Sequence, residues 1–178
     1  MTLLNENRDV FSNFPGGTNL IKHKIVTPPG IVVRKTPYRI PQTKRELMTE
    51  EIQKMLKMHV IEESDSNWLS PVVMVPKPDG TIRFCIDFRA VNEVSKFDAY
   101  PMSRIDEMIE KLGRAKFITM LDLTKGYWQV PLEENSKEKT AFSTPEGLFQ
   151  FTVLPFGLHG APATFQHLMN KVLRPHQQ

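Results

Sequence analysis

Residues 70–87 read SPVVMVPKPDGTIRFCID, and the fold class follows from how that stretch must bend. Val72, Val73, Met74 and Val75 form an apolar run, while Ile82, Phe84 and Ile86 alternate with Arg83, Cys85 and Asp87. Between them stand Pro78, Asp79 and Gly80, and Asp-Gly supplies the positive φ that a tight hairpin needs. The reading is a two-stranded antiparallel hairpin. Its period of two puts Ile82, Phe84 and Ile86 on one face and Arg83, Cys85 and Asp87 on the other.

Upstream of the hairpin, Thr43 and Glu46 stand at capping-box spacing, which predicts a helix start. Met48, Ile52, Met55, Leu56 and His59 follow at helical spacing, with Glu50, Glu51, Lys54 and Lys57 on the other faces. Before that helix the character changes. Between Val10 and Arg45 there are seven bases (Lys22, Lys24, Arg34, Lys35, Arg39, Lys44, Arg45) and no acid. The same stretch holds Pro15, Pro28, Pro29, Pro37 and Pro41. Proline removes backbone donors and fixes φ, so the stretch reads as an extended arm lying on something else. Such an arm suits a polyanion through counterion release, and it equally suits a solvated linker in a longer polypeptide.

Downstream, Pro101 and Ser103 announce a helix with Ile105, Met108, Ile109 and Leu112 on one stripe, stopping at Gly113. Phe117 to Leu121 is a short apolar run ending at Asp122, which predicts a buried strand. Trp128 to Leu132, Thr140 to Ser143 and Leu148 to Leu154 also read as strands, the last entered through a turn at Pro145, Glu146 and Gly147. A final helix has Pro162 near its first turn and Phe165, Leu168, Met169 and Val172 on one face. Short turns between strands imply hairpins. The fold class is therefore α+β with an antiparallel sheet rather than a doubly wound parallel one.

Composition removes several function classes. With 178 residues, 40% hydrophobic, 24% charged and a net charge of +3, one globular domain is the default. No apolar run exceeds the four residues at Val72 to Val75, which predicts no membrane span and no membrane partner. Asn5, Glu6, Arg8 and Asp9 leave no room for a signal peptide, so the expectation is an intracellular protein that is not secreted. Cys85 is the sole cysteine, excluding an internal disulfide framework and a thiolate zinc cluster. The chain has no phosphate-binding Walker loop, no G-x-G-x-x-G, no H-E-x-x-H and no G-x-S-x-G. Its histidines never fall at the spacing of a helical metal pair.

The chemically informative segment is FITMLDLTKGYWQVPL, residues 117–132. A carboxylate at a strand end, followed by a tight turn and an aromatic pair, suits metal-assisted phosphoryl chemistry. Asp122 offers oxygens to a hard cation, and the turn at Thr124, Lys125 and Gly126 offers amides to phosphate. On this segment alone, Asp122 reads rather as the cap of the following turn, and Tyr127 and Trp128 read as core.

The ordered blocks decide between those readings. They are PYRIP (37–41), VIEESDSNWLSPVVMVPKPDGTIRFCIDFRAVN (60–92), DAYPMSRIDEMIEKLG (98–113), LDLTKGYWQVPL (121–132), KTAFSTPEGLFQFTVLPFGLHGAPATFQ (139–166) and VLRP (172–175). In order and spacing the chain resembles the reverse transcriptases of gypsy-like LTR retrotransposons, RNA-directed DNA polymerases carried in pol polyproteins. The resemblance implies a right-hand polymerase fold, of which this chain supplies fingers and an incomplete palm. Residues 1–40 would be the arm or linker and 41–96 the first part of the fingers. Residues 97–129 would open the palm, 130–160 complete the fingers, and 161–178 form a palm helix.

By the same resemblance, Asp122 is the first of three catalytic carboxylates holding two Mg²⁺ (or Mn²⁺) ions, assisted by the Leu123 carbonyl. Lys77 and Arg83 would close over the triphosphate of the incoming dNTP, and Lys125 and Gly126 would give it backbone amides. Tyr127 would block a ribose 2′-hydroxyl, and Phe156 would pack on the nucleotide sugar. Arg89, Asn92, Gly157 and Pro162 match positions facing the template and primer, while Asp87 and Gln166 read either as site or as structural residues. His59 stands where the family has a helix-ending glycine, which predicts an unusual cap.

The family's second acidic block, Tyr-x-Asp-Asp, is expected beyond Gln178, with RNase H and integrase further on. Two Mg²⁺ ions about 4 Å apart repel by roughly 17 kcal/mol at an effective dielectric near 20. One carboxylate does not offset that, so the 178 residues alone are expected to be inactive. The implied partners are an RNA or DNA template with its primer, dNTP and the remainder of the pol polyprotein, in the cytoplasm or a retroelement particle. The competing readings are a non-catalytic module binding nucleic acid or a polymerase subunit, and a remnant without a role. The Asp122 strand, lacking its neighbouring hairpin, is expected to be an exposed apolar sheet edge.

Overall fold

Helix α1 spans Gln42–Lys57 and buries Met48, Ile52 and Met55, the stripe its spacing predicts. These coordinates are a computed structural model describing residues 5–12, 14–78, 80–97, 100–101, 105–113 and 116–173. Asp79, Asp98, Ser103 and the VLRP tail beyond residue 173 lie outside the described residues. The start of α1 differs from the capping-box expectation. Pro41 is the N-cap at φ −57° and ψ 145°, with no side-chain cap bond. Thr43 therefore sits inside the first turn, two residues too late for its hydroxyl to cap.

At the other end the backbone is strained, as expected of a non-glycine residue, but the cap is built in the ordinary way. His59 takes φ +54°. Its amide donates to the Leu56 carbonyl at 2.9 Å, and the Val60 amide donates to the Met55 carbonyl at 2.9 Å. This is the paired bonding of a Schellman motif, and Met55 and Val60 are both buried in the core.

Two antiparallel sheets follow. Strand β1 (Ile61–Glu63) pairs with β5 (Gly147–Phe151), which pairs with β4 (Phe142–Thr144) in the order β1-β5-β4. Strands β2 (Val72–Pro76) and β3 (Ile82–Ile86) form the expected hairpin, with Val72 opposite Ile86 and Val75 opposite Arg83. Gly80 supplies the positive φ, at +81°. Phe142 links the two sheets. It is fully buried, 5.8 Å from Phe84, 6.1 Å from Phe149 and 5.4 Å from Phe151 between ring centroids. A buried phenylalanine of this kind contributes roughly 2–3 kcal/mol.

Shorter helices complete the frame: α2 (Arg89–Val94), α3 (Ile105–Leu112), α4 (Glu134–Lys137) and α5 (Ala161–Leu173). α3 ends as expected at Gly113, whose amide donates to the Ile109 carbonyl at 2.9 Å, but its Ile109 and Leu112 are exposed. In α5 Leu168 is buried and Phe165 and Met169 pack against the core, while Val172 is exposed.

The basic stretch takes no helix between residues 14 and 40 and lies on the body through backbone bonds. The His23 amide donates to Pro131 and its carbonyl accepts from Glu133, each at 2.9 Å. Further along, Lys35 donates to Leu69, and Leu69 donates to Val33. Ile25 and His23 are buried, and His23 Nδ1 lies 2.8 Å from Thr164 Oγ1. Lys22, Lys24, Arg34, Lys35, Arg39 and Arg45 all face solvent.

Four strand expectations need correction. Residues 117–121 are not a buried strand: Phe117, Ile118, Met120 and Leu121 are exposed, and no described segment pairs with them. Apolar composition makes a strand only where a neighbour satisfies its backbone groups. Trp128 to Leu132 begins as a 3₁₀ turn (Gly126–Gln129) and contributes only isolated bridges at Pro131 and Leu132. Thr140 ends another 3₁₀ turn, Glu138–Thr140, so β4 starts at Phe142, and β5 stops at Phe151 short of Leu154.

Candidate nucleotide and nucleic-acid site

The β2–β3 hairpin projects Lys77 and Arg83 from its two arms. The Lys77 amide donates to the Thr81 carbonyl at 2.8 Å, closing the turn. Below them lies a half-open cleft of about 650 Å³ whose lining includes Lys77, Arg83, Lys125, Trp128, Phe156 and Gly157. Cys85 also lines it; burial pushes its thiol pKa up, partly opposed by the Arg83 charge.

The opposite wall is the turn after Asp122. Lys125 has φ +50° and ψ 45°, and its carbonyl accepts from the Trp128 amide at 2.7 Å. The Lys125 ammonium sits 4.7 Å from the Trp128 ring centroid. Gly126 is required by close approach, since a Cβ there would come 2.9 Å from the tip of the Phe165 ring on α5. That approach lets Tyr127 pack 5.3 Å from Phe165 and 4.9 Å from Phe156. Burial raises the Tyr127 pKa, so its hydroxyl stays protonated at neutral pH.

The 154–159 loop is tied down from α2. Asn92 donates its amide to the Gly157 carbonyl at 2.8 Å and accepts the His159 amide at 3.0 Å. Gly157 adopts φ +98° and faces the Phe88 ring. Asp87 holds Arg89 through two bonds of 2.9 and 2.7 Å, and the Tyr38 hydroxyl donates to it at 3.2 Å. Gln166 bonds Asn170, which in turn donates to the Tyr100 hydroxyl.

The structure thus gathers Lys77, Arg83, Lys125, Phe156 and Gly157 around one cleft, with Gly126, Tyr127 and Asn92 behind its walls. It does not gather the rest. Asp122 and Leu123 are exposed and do not line the cleft, and no described donor or cation reaches the Asp122 carboxylate. Arg89 and Pro162 are exposed outside it. Trp128 is core, as its sequence reads, and its indole also lines the cleft, a second role that the Lys125-to-Trp128 spacing of one turn could have signalled.

Among the described residues no group of three histidine, cysteine or carboxylate side chains could hold a metal ion. Mg²⁺ keeps several waters and is held by one or two carboxylates plus substrate phosphates, but two such ions side by side need more negative charge than one exposed carboxylate and one carbonyl supply. The described residues by themselves do not fit a two-metal centre.

Residues 75–178 match the family model described as reverse transcriptase (RNA-dependent DNA polymerase). The chain belongs to the reverse transcriptase family. It is 41% identical over 163 residues to the retrovirus-related Pol polyprotein from transposon 297 of Drosophila melanogaster, matching 89% of this chain and 15% of that one. It is 35% identical over 136 residues to the transposon Tf2-3 polyprotein of Schizosaccharomyces pombe, matching 76% of this chain and 10% of that one. Among solved structures, a prototype foamy virus protease-reverse transcriptase superposes with TM-score 0.87 at 28% identity, covering 98% of this chain and 24% of that one. The foamy viral protease-reverse transcriptase dRH in complex with ds DNA gives 0.82 at 26% identity, covering 99% and 31%. This reverse transcriptase chain thus has the fingers-and-palm fold, and it spans about 15% of the Drosophila relative's length. Among its described residues no helix is long and apolar enough to cross a membrane.

Proposed function

We propose that the chain forms the nucleotide-holding part of an RNA-directed DNA polymerase within a pol polyprotein. The observation that carries this is the shared cleft, where Lys77 and Arg83 on one wall face Lys125, Phe156 and Gly157 on the other. Arg83 offers a planar fork of donors and Lys77 a mobile point charge, which suits the phosphates of a dNTP. Tyr127, wedged between Phe156 and Phe165, presents a rigid ring that excludes a ribose 2′-hydroxyl by overlap. A related structure is described in complex with ds DNA, and the exposed bases of the arm suit such a polyanion. Template and primer would follow Arg89, Asn92, Gly157 and Pro162.

Asp122 would be this chain's contribution to the divalent-metal centre, together with the Leu123 carbonyl. Two Mg²⁺ or Mn²⁺ ions would supply charge stabilisation for nucleotidyl transfer once further carboxylates join it. The test uses a pol polypeptide continuing through a Tyr-x-Asp-Asp segment. RNA-templated primer extension is expected, lost in Asp122→Ala and showing a raised KM for dNTP in Arg83→Gln. Full activity in Asp122→Ala would refute the assignment.

A further inference from the structure

Lys125 occupies an unusual backbone position for its residue type. At φ +50° a side chain is strained, and glycine or asparagine is the relaxed choice. Its ammonium rests 4.7 Å over the indole of Trp128, itself almost wholly buried in the cleft floor. Among the described residues no carboxylate pairs with Lys125, Lys77 or Arg83. Glu51, the one acid lining the cleft, is engaged with Lys54 at 3.9 Å. Three cations therefore line the space against one carboxylate.

We propose that the Lys125 side chain is itself a polyphosphate ligand, held on the Trp128 ring until an anion enters the cleft. An indole face attracts a cation only through its quadrupole, whereas a phosphate oxygen carries full charge and accepts a hydrogen bond. The anion displaces the ring without any carboxylate having to be broken away. Because Lys77 and Arg83 come from the hairpin and Lys125 from the facing turn, an anion engaging all three must be extended. A chain of three phosphates reaches further across the cleft than a single phosphate does, so it is the better fit. The inference rests on the nucleotide reading of the cleft and adds a side-chain contact to the backbone amides of that turn.

The test titrates inorganic tripolyphosphate, and separately inorganic monophosphate, into the purified 178-residue chain without divalent metal. Tryptophan emission reports the ammonium leaving Trp128, since Trp68 is the only other indole and does not line the cleft. Wild type is expected to bind tripolyphosphate with a saturable emission change and to prefer it clearly over monophosphate. Lys125→Gln is expected to weaken tripolyphosphate about 5–20-fold and erase the emission change, while Lys125→Arg stays within about threefold. Lys125→Gly, which the φ of +50° tolerates, gives the same loss if the glutamine variant folds poorly. Lys125 variants binding like wild type, while Lys77→Gln and Arg83→Gln bind weakly, would overturn the Lys125 role and leave the cleft reading intact. Equal affinity in all variants, or no binding by wild type, would overturn both.

Discussion

At the scale of single residues, His59 shows a side chain tolerated where glycine is the relaxed solution. It closes the Schellman motif at φ +54° with its imidazole exposed, so nothing beyond the backbone demands histidine there. His59→Gly is expected to stabilise the chain by about 0.5–1 kcal/mol, read as a shift in the denaturant midpoint. Asp87 gives a pH prediction. Hydrogen bonding from the Arg89 guanidinium, aided by the Arg89 amide and the Tyr38 hydroxyl, lowers its pKa from 3.8 to about 2. The folded state thus favours the carboxylate, so the stabilisation is complete above about pH 4 and disappears as pH falls toward 2. Screening of the exposed guanidinium limits it to roughly 1 kcal/mol. Stability curves of wild type and Asp87→Asn are expected to converge across that window; a constant gap would refute the linkage.

At the scale of elements, the hairpin and α1 were legible because their determinants are local. Alternation and Asp-Gly specify β2–β3, and three-four spacing specifies the buried face of α1. β1 was not legible, because its three residues carry no period and their partners, at 149–151, lie far along the chain. The run 117–121 misled for the opposite reason: its composition is that of a strand, but pairing is a property of two segments. In the site, the residue types at the cleft were readable, while the left-handed Lys125 and its rest on Trp128 depend on turn geometry. Asn92 shows how one element positions another, since its single amide holds both Gly157 and His159. Asn92→Ala is expected to cost about 1–3 kcal/mol and to raise hydrogen exchange in the 154–159 loop selectively. Uniform exchange changes across the chain would contradict that clamp.

At the scale of the whole molecule, the arm and both sheets surround one aromatic core, while the segment bearing Asp122 stands apart from it. Phe117 is 93% exposed and Met120 90%, and with Ile118 and Leu121 they leave four apolar side chains exposed within five residues. Such a surface favours self-association, so light scattering is expected to rise with concentration, and less so in a Phe117→Ser, Met120→Ser double variant. A monodisperse wild type at high concentration would contradict this. On the proposed reading the cleft would offer cations and a ring to a nucleotide, and among the described residues Asp122 would be the carboxylate for the metal chemistry. The most direct test is RNA-templated primer extension by the purified 178-residue chain with Mg²⁺, beside its Asp122→Ala form. Both are expected to give the same background; extension that depends on Asp122 would contradict the account.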